Sequence, residues 1–298
     1  VRYAVRMWRR APRFTATALT LLVLGIGSST AIFSIAYAVL LRPLAYPEPE
    51  RLVFMAENNG YGTSWPNFQD WKRRARSFEG LAGSVGDAVT VTNDRMPRRF
   101  DSKTVTANFF QVLRVKAFRG RVFDPRDSLP GSPATAVVSY GFWMRELGGS
   151  SSAVGGTLAL AGKPTTVIGV LPPGFEFMTP ADVYVLLEPR VAATDYRGMQ
   201  NRGSRTALFV VGRLTPGVSF ESARAEMQTI VAALAAEYPP ANKGNVLLVV
   251  PLADRIVSSI TATLKVCAGA VVLLLIIACV NLAGLLVSRS AARAHELG

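Results

Sequence analysis

The chain has 298 residues, half of them hydrophobic, and a formal net charge of +13. Its two cysteines, Cys267 and Cys279, share one apolar run, and its single histidine is His295. These counts exclude a disulfide-stapled scaffold. They also leave everything before residue 295 without the imidazole that Ser-His or Cys-His catalysis and histidine zinc sites require.

Residues 1–13 carry Arg2, Arg6, Arg9, Arg10 and Arg13 and no acid. Val1, Val5 and Trp8 share one helical face, and Arg2, Arg6, Arg9 and Arg13 another. That is the pattern of a basic amphipathic helix on an anionic leaflet, ending near Pro12. A basic flank that only sets orientation fits as well, and either assigns this end to the cytoplasm. A first residue of Val is expected of a non-Met start codon or of a fragment.

From Phe14 to Leu41 run 28 residues without a charge. As a helix they would extend about 42 Å, more than the ~30 Å of a hydrocarbon core. A cleaved signal peptide needs only a short apolar region, so 14–41 is expected to stay as a transmembrane helix. Within it, Gly25 and Ser29 form a small-x-x-x-small pair suited to close helix contact.

Residues 42–251 read as a mixed α and β domain. RLVFMAE (Arg51–Glu57) is a strand. SWPNFQDWKRRARSFEGL starts a helix with Ser64 as its cap and Trp65, Phe68 and Trp71 at helical spacing. FDSKTVTANFFQVL and ATAVVSYGFW each read as a strand turning into a short helix. GGTLALAGKPTTVIGVLPPGF reads as a hairpin turning over Ala161–Pro164. DVYVLL is a strand. RTALFVVGRL, a helix capped by Ser219 and NVLLVVPL form a strand–helix–strand unit, with Ala223, Met227, Ile230, Leu234 and Tyr238 as the helix's apolar stripe. The class is α+β, a mixed sheet with βαβ-type units and helices packed on a face.

At the far end, LADRIVSSITATLKV places Leu252, Ile256, Ile260 and Leu264 four apart. It reads as an amphipathic stalk continuous with a second span, Val266–Val287, 22 residues in which only Asn281 is strongly polar. Residues 252–288 would make one helix of about 55 Å. Asn281 is read as an interhelical hydrogen-bonding group, with a polar site on a transport path as the other option. The cysteines are small packing residues. Two spans place both termini in the cytoplasm and 42–251 outside it. The flanks hold +5 and +1 of the charge, and the remaining +7 is scattered among carboxylates. An extracytoplasmic domain does not meet nucleic acid.

The search for chemistry returns no catalytic, cofactor or metal site. TLALAGKP has Thr157 where a phosphate-binding loop needs its first glycine and Pro164 where it needs Ser or Thr. Ser139 in VVSYG lacks both the preceding glycine of a nucleophile elbow and a base. HELG stops short of a zinc motif. No spacing singles out a pair among the domain's carboxylates.

The chain resembles the MacB/FtsX-type ABC transporter permeases, most of all the duplicated orphan permeases of acidobacterial type. The likeness is carried in order by RYAVRMWRRAPRFTATALTLLVLGIGSSTAIFSIAYAVLLRPLAYPEPERLV, NFQDWKRRARSFEGLA, VTANFFQVLRVKAFRGRVF, VVSYGFWMRELGG, VIGVLPPGFEF, DVYVLL, RLTPGVSFESARAEMQTIVAALAAEYP and LLIIACVNLAGLLVSRSAARAHELG. The resemblance implies an inner-membrane permease subunit with a first helix, a periplasmic core domain and a second helix rising as a stalk. Residues 289–298, with Arg293 and Glu296, match the start of the family's cytoplasmic coupling segment to a separate ATPase. The family's later helices would follow, so a piece of a longer permease is expected. Implied partners are the ABC ATPase, a second copy or second permease unit, the membrane and a periplasmic protein, and the implied work is export or mechanotransmission. Two rivals from other classes are a two-span sensor with an extracytoplasmic ligand domain, which a signalling helix after Gly298 would mark, and an anchored exported enzyme.

Overall fold

Leu52 to Glu57 are six consecutive buried residues, a pattern that requires cover on both faces of a strand. That run is β1 (Leu52–Glu57) of a ten-stranded mixed sheet in the computed structural model. The model describes residues 46–296 except 93–95, 194–195 and 206, with scattered positions between Ala16 and Ser34. The other strands are β2 (Phe78–Thr92), β3 (Arg98–Val105), β4 (Arg119–Gly120), β5 (Thr135–Val138), β6 (Thr157–Leu160), β7 (Lys163–Val170), β8 (Val183–Leu186), β9 (Phe209–Leu214) and β10 (Leu247–Pro251). The helices are α1 (Trp65–Arg74), α2 (Phe109–Leu113), α3 (Tyr140–Glu146), α4 (Leu187–Ala192), α5 (Arg197–Gln200), α6 (Phe220–Glu237), α7 (Pro239–Asn242) and α8 (Leu252–Glu296).

Neighbours in the sheet follow the order β10-β1-β9-β2-β3-β8-β5-β7-β4, and β6 pairs with β2 and β7. β1 is antiparallel to both β10 and β9. β9 and β10 therefore run the same way on either side of it, joined through α6. β3 with β8 and β5 with β7 are parallel pairs. The expected mixed α+β sheet with strand–helix–strand units is the one present.

Local chemistry sets the helix starts. Ser64 Oγ accepts from Asn67 N at 3.3 Å, Ser139 Oγ from Phe142 N at 3.0 Å, and Ser219 Oγ from Ser222 N at 3.2 Å. Each satisfies an amide that the first helical turn leaves unpaired. α1 ends at Arg74, earlier than the helix expected from the sequence, because Phe78 onward pairs with β9. That strand, β2, has no sequence reading. Its glycines and Asp87 lower its strand propensity, yet Gly83 is where Leu208 comes close: a Cβ there would stand 2.8 Å from the leucine methyl. The β6–β7 hairpin turns on Ala161 and Gly162 alone, both at positive φ (49° and 77°). Lys163 and Pro164, expected in the turn, already belong to β7. A two-residue turn of that hand matches the twist of the flanking strands.

Two apolar cores share β2. The first packs Phe68 and Trp71 of α1 with Met227 and Leu234 of α6 onto Val53, Leu81 and Val210. The stripe expected on α6 is buried at Ala223, Met227, Ile230 and Leu234, with Tyr238 partly covered. The second core gathers Phe100, Phe142, Trp143, Val167 and Val183 around Val89 and Val91. Residues 44–255 form one compact unit holding both cores; 1–43 with 256–298 form another.

In the second unit, Gly25 is helical and buried, and Ser28 Oγ donates to its carbonyl at 3.3 Å. The amphipathic segment 1–13, Ser29 and most of the expected first span lie outside the described residues. Asn281 falls within α8, as do Arg293 and Glu296 near its C-terminus; the placement of their side chains is likewise outside the description. Cys267 is half-buried and Cys279 exposed. Val266, Val272 to Ile277, Val280 and Val287 of α8 are exposed apolar residues. Among the described residues no helix is long and apolar enough to cross a membrane.

Candidate functional site

Register defines the two ends of the β1–β10 pair. Val53 lies opposite Pro251 and Glu57 opposite Leu247. The chain therefore enters β1 and leaves β10 at one end, and Glu57 marks the other.

The entering segment is tied down by charge. Tyr46 is buried, donates its hydroxyl to the Glu176 carbonyl and packs edge-on against Phe175. Glu48 adopts the left-handed conformation (φ 50°) and caps a short 3-10 turn, Pro49–Arg51. Arg51 pairs with Glu48 and Glu79 and donates Nε to the Leu214 carbonyl at 3.0 Å. Arg114, left-handed at the end of α2, reaches Glu48 at 2.7 Å and Glu79 at 3.3 Å. Arg213 of β9 is buried, donates Nε to the Val112 carbonyl at 2.6 Å and Nη1 to the Glu48 carbonyl at 3.3 Å. Three guanidiniums and two carboxylates thus join the entering segment, the start of β2, the end of α2 and the end of β9.

The electrostatics follow from that count. Hydrogen bonds from Arg51, with further help from Arg114, hold the Glu48 carboxyl below its ordinary range. Arg51 does the same to Glu79. Burial pushes Arg213 down, and the positive charges of Arg114 and Arg51 add to it. Exposed ion pairs contribute little singly. The buried Arg213, bonded to two carbonyls from different elements, is the stronger fixture, since hydrogen bonds to charged groups are worth about 1.5–3 kcal/mol.

The opposite end holds a buried network. Glu57 accepts from Thr63 Oγ1 at 2.6 Å and Asn67 Nδ2 at 3.0 Å, and Arg205 Nε stands 2.8 Å from its Oε2. That last contact is out of line for a hydrogen bond and acts as an ion pair. Arg205 Nη2 donates to the Ala241 carbonyl at 3.1 Å and Asn242 Oδ1 at 2.9 Å. Arg202 reaches Asp70 at 2.6 Å and Asn67 Oδ1 at 2.8 Å, and lies 3.8 Å from the Tyr238 ring centre. Burial raises Glu57, more than Thr63, Arg205 and Asn67 lower it, and burial lowers Arg205. Both shifts oppose charge, so desolvation outweighs attraction in this pair.

Thr63 with Glu57 is a hydroxyl–carboxylate pair, and both residues are buried. Ser139 is a helix cap, with its amide donating to the Asp182 carbonyl at 2.8 Å. TLALAGKP is the β6–β7 hairpin. Among the described residues no cluster of His, Cys, Asp or Glu could hold a metal ion. Sequence reasoning singled out none of the residues in these two networks. The signal available was a charge inside an apolar strand: Glu57 closing LVFMA, and Arg213 in FVVGRL, where a buried charge must find partners.

The profile of the MacB-like periplasmic core domain matches residues 15–230. The chain belongs to this family. Solved structures agree in fold. The extracellular domain of the noncanonic ABC-type transporter YknZ from Gram-positive bacteria is 13% identical, with a TM-score of 0.51 over 66% of this chain and 99% of its own. A permease-protein domain from Porphyromonas gingivalis is 16% identical, with a TM-score of 0.54 over 69% and 92%. The periplasmic region of MacB from Actinobacillus actinomycetemcomitans is 12% identical, with a TM-score of 0.53 over 71% and 92%. A comparison with curated proteins gives no match. The compact unit 44–255 is thus the MacB-like periplasmic domain of an ABC-type permease. Its two networks lie at opposite ends of the β1–β10 pair.

Proposed function

We propose that the chain is part of the permease subunit of a MacB/FtsX-type ABC transporter, which couples ATP hydrolysis by a separate ATPase to movement of the MacB-like domain. It has no catalytic role of its own. In this reading 14–41 and the apolar part of α8 cross the inner membrane, both ends are cytoplasmic, and Arg293 and Glu296 begin the segment that meets the ATPase. A second permease unit and a periplasmic protein complete the assembly, which serves export or mechanotransmission.

The observation that carries the proposal is α8. It is one helix from Leu252 to Glu296, and its exposed residues from Val266 to Val287 are mostly apolar. An exposed apolar surface of that extent marks a contact with lipid or protein. A helix without a break is also what a lever requires.

Ile260→Pro tests it. Proline removes one backbone hydrogen bond and clashes with the preceding turn, at a local cost of about 3 kcal/mol or more. In the complete permease with its ATPase, the expected outcome is near-normal ATP hydrolysis with loss of export or partner activation. Ile260→Ala keeps the helix and should be far milder. Equal and harmless behaviour of the two would reduce α8 to a tether and end the lever reading.

A further inference from the structure

Tyr140, at the start of α3, separates two exposed patches of opposite sign. On one side it packs edge-on against Phe118, with ring centres 5.4 Å apart, and lies 5.5 Å from the Trp143 ring. Arg119 of β4, at the end of the sheet, is exposed and stands 5.9 Å from the Phe118 ring centre and 5.5 Å from that of Trp143. Among the described residues it forms no ion pair. The rings hold its guanidinium in place, and its N–H groups stay open to a carboxylate. Lys116, three positions earlier, is exposed and likewise has no carboxylate partner among the described residues. Phe118 and Met144, each about half exposed, add apolar surface.

On its other side Tyr140 lines a groove of about 410 Å³ together with Asp101, Arg145, Glu176 and Asp182. Arg145 bonds Asp182 at 2.8 Å and neutralises it. Asp101 and Glu176 are exposed and pair with no cation among the described residues. Lys103, on the same strand as Asp101, is buried and donates to Thr179 Oγ1 at 2.8 Å instead. The groove therefore shows two uncompensated carboxylates beside a ring patch with two uncompensated cations. Adjacent patches of opposite sign are self-complementary under a two-fold rotation. A half-turn about an axis running between them, past Tyr140, lays each basic patch on the groove of the other copy, and the same pairing forms twice.

We propose that this surface joins the domain to a second copy of the chain. Arg119 and Lys116 of one copy face Asp101 and Glu176 of the other, with α3 at the two-fold axis. The proposal deepens the second permease unit of the proposed function and rests on that reading. A weak contact suffices there, because anchoring two copies in one membrane raises their effective concentration.

The test uses the full chain in lipid vesicles, with Cys267→Ala and Cys279→Ala. Met144→Cys then places a single thiol on α3, one turn from Tyr140, and a short bis-maleimide reads whether two copies meet there. The dimer yield should exceed that of Glu221→Cys, at the start of α6 in the other core. Arg119→Glu should lower the Met144→Cys yield about tenfold, because like charges then face each other across the contact. Glu176→Arg should do the same. Both side chains are exposed, and thermal melts of each variant check that the fold is kept. Mixing the two single variants, tagged to different lengths, should restore the yield as heterodimer alone, since the two reversed charges meet each other and the two native ones do too. A mixture that fails to recover, a yield indifferent to Arg119→Glu, or a Met144→Cys yield no higher than that of Glu221→Cys overturns the proposal. Dimers counted by single-molecule photobleaching without cross-linking at Met144→Cys would reject this surface and leave the permease reading standing.

Discussion

Arg205→Met would open the buried network at Glu57, and its cost can be worked from the contacts. The change removes a guanidinium 2.8 Å from Glu57 Oε2 and leaves that carboxyl buried with only Thr63 and the Asn67 and Asn245 amides as donors. Breaking a buried pair by deleting one partner costs about 3–5 kcal/mol. Protonation of Glu57 limits the loss, because each unit of pKa shift is worth about 1.36 kcal/mol. A figure near 3 kcal/mol is expected, which lowers Tm by roughly 6–12 °C in a domain of this size. The sign of the pH dependence follows from burial. Glu57 already titrates above its ordinary value, and loss of Arg205 raises it further. A carboxyl with a raised folded pKa contributes stability that is present at low pH and lost as pH rises through that pKa. The gap between parent and variant should therefore be smaller at pH 5 than at pH 8. Glu57→Gln alone should cost less, since Arg205 keeps its bonds to Arg202, Ala241 and Asn242. The double variant should lose about 2 kcal/mol less than the sum of the singles. Thermal melts of the four proteins at two pH values decide the matter. Strict additivity, or a gap independent of pH, would refute the claim that desolvation dominates this pair.

Other substitutions probe packing, capping and the entering segment. Gly212→Ala puts a Cβ 2.6 Å from Phe78 and 2.7 Å from Leu81, and should cost about 1–3 kcal/mol in urea unfolding. Gly169→Ala meets the Arg121 carbonyl at 2.1 Å, where backbone must move, so it should cost more than Gly212→Ala; the reverse order would contradict the close approach. Ser139→Ala should lose about 1 kcal/mol and Ser139→Asp should restore it, as fits a cap and not a nucleophile. Glu48 and Glu79 have depressed folded pKa values, so their contribution is present above the ordinary carboxylate range and fades as pH falls through the folded values. Glu48→Gln with Glu79→Gln should flatten the acid limb of the urea midpoint against pH, below about pH 5; an unchanged limb would show that these pairs do not stabilise the fold.

Local pattern was enough for most of the elements. Strand β1 is an apolar run, α1 and α6 begin at serines whose hydroxyls cap the first turn, and the α6 stripe repeats at the helical period because one face of a helix must be buried. β2 escaped because a glycine-rich strand draws its stability from β9 and β3 on its two sides, which are distant in sequence. The extent of α1 was set by the same pairing, which takes the chain from Phe78 onward. The charged networks are a stronger case. Nothing near Glu57 in sequence announces Arg205, 148 positions away, and nothing near Glu48 announces Arg213. A charge in an apolar strand states that a partner is needed, but only the folded chain supplies it. The groove beside Tyr140 is likewise invisible in sequence, because Asp101, Tyr140 and Glu176 reach it from separate parts of the chain. Propensity and period act over a few residues and were legible. Pairing of strands, burial of charge and unfilled volume depend on what arrives from elsewhere in the chain, and tertiary packing alone decided them.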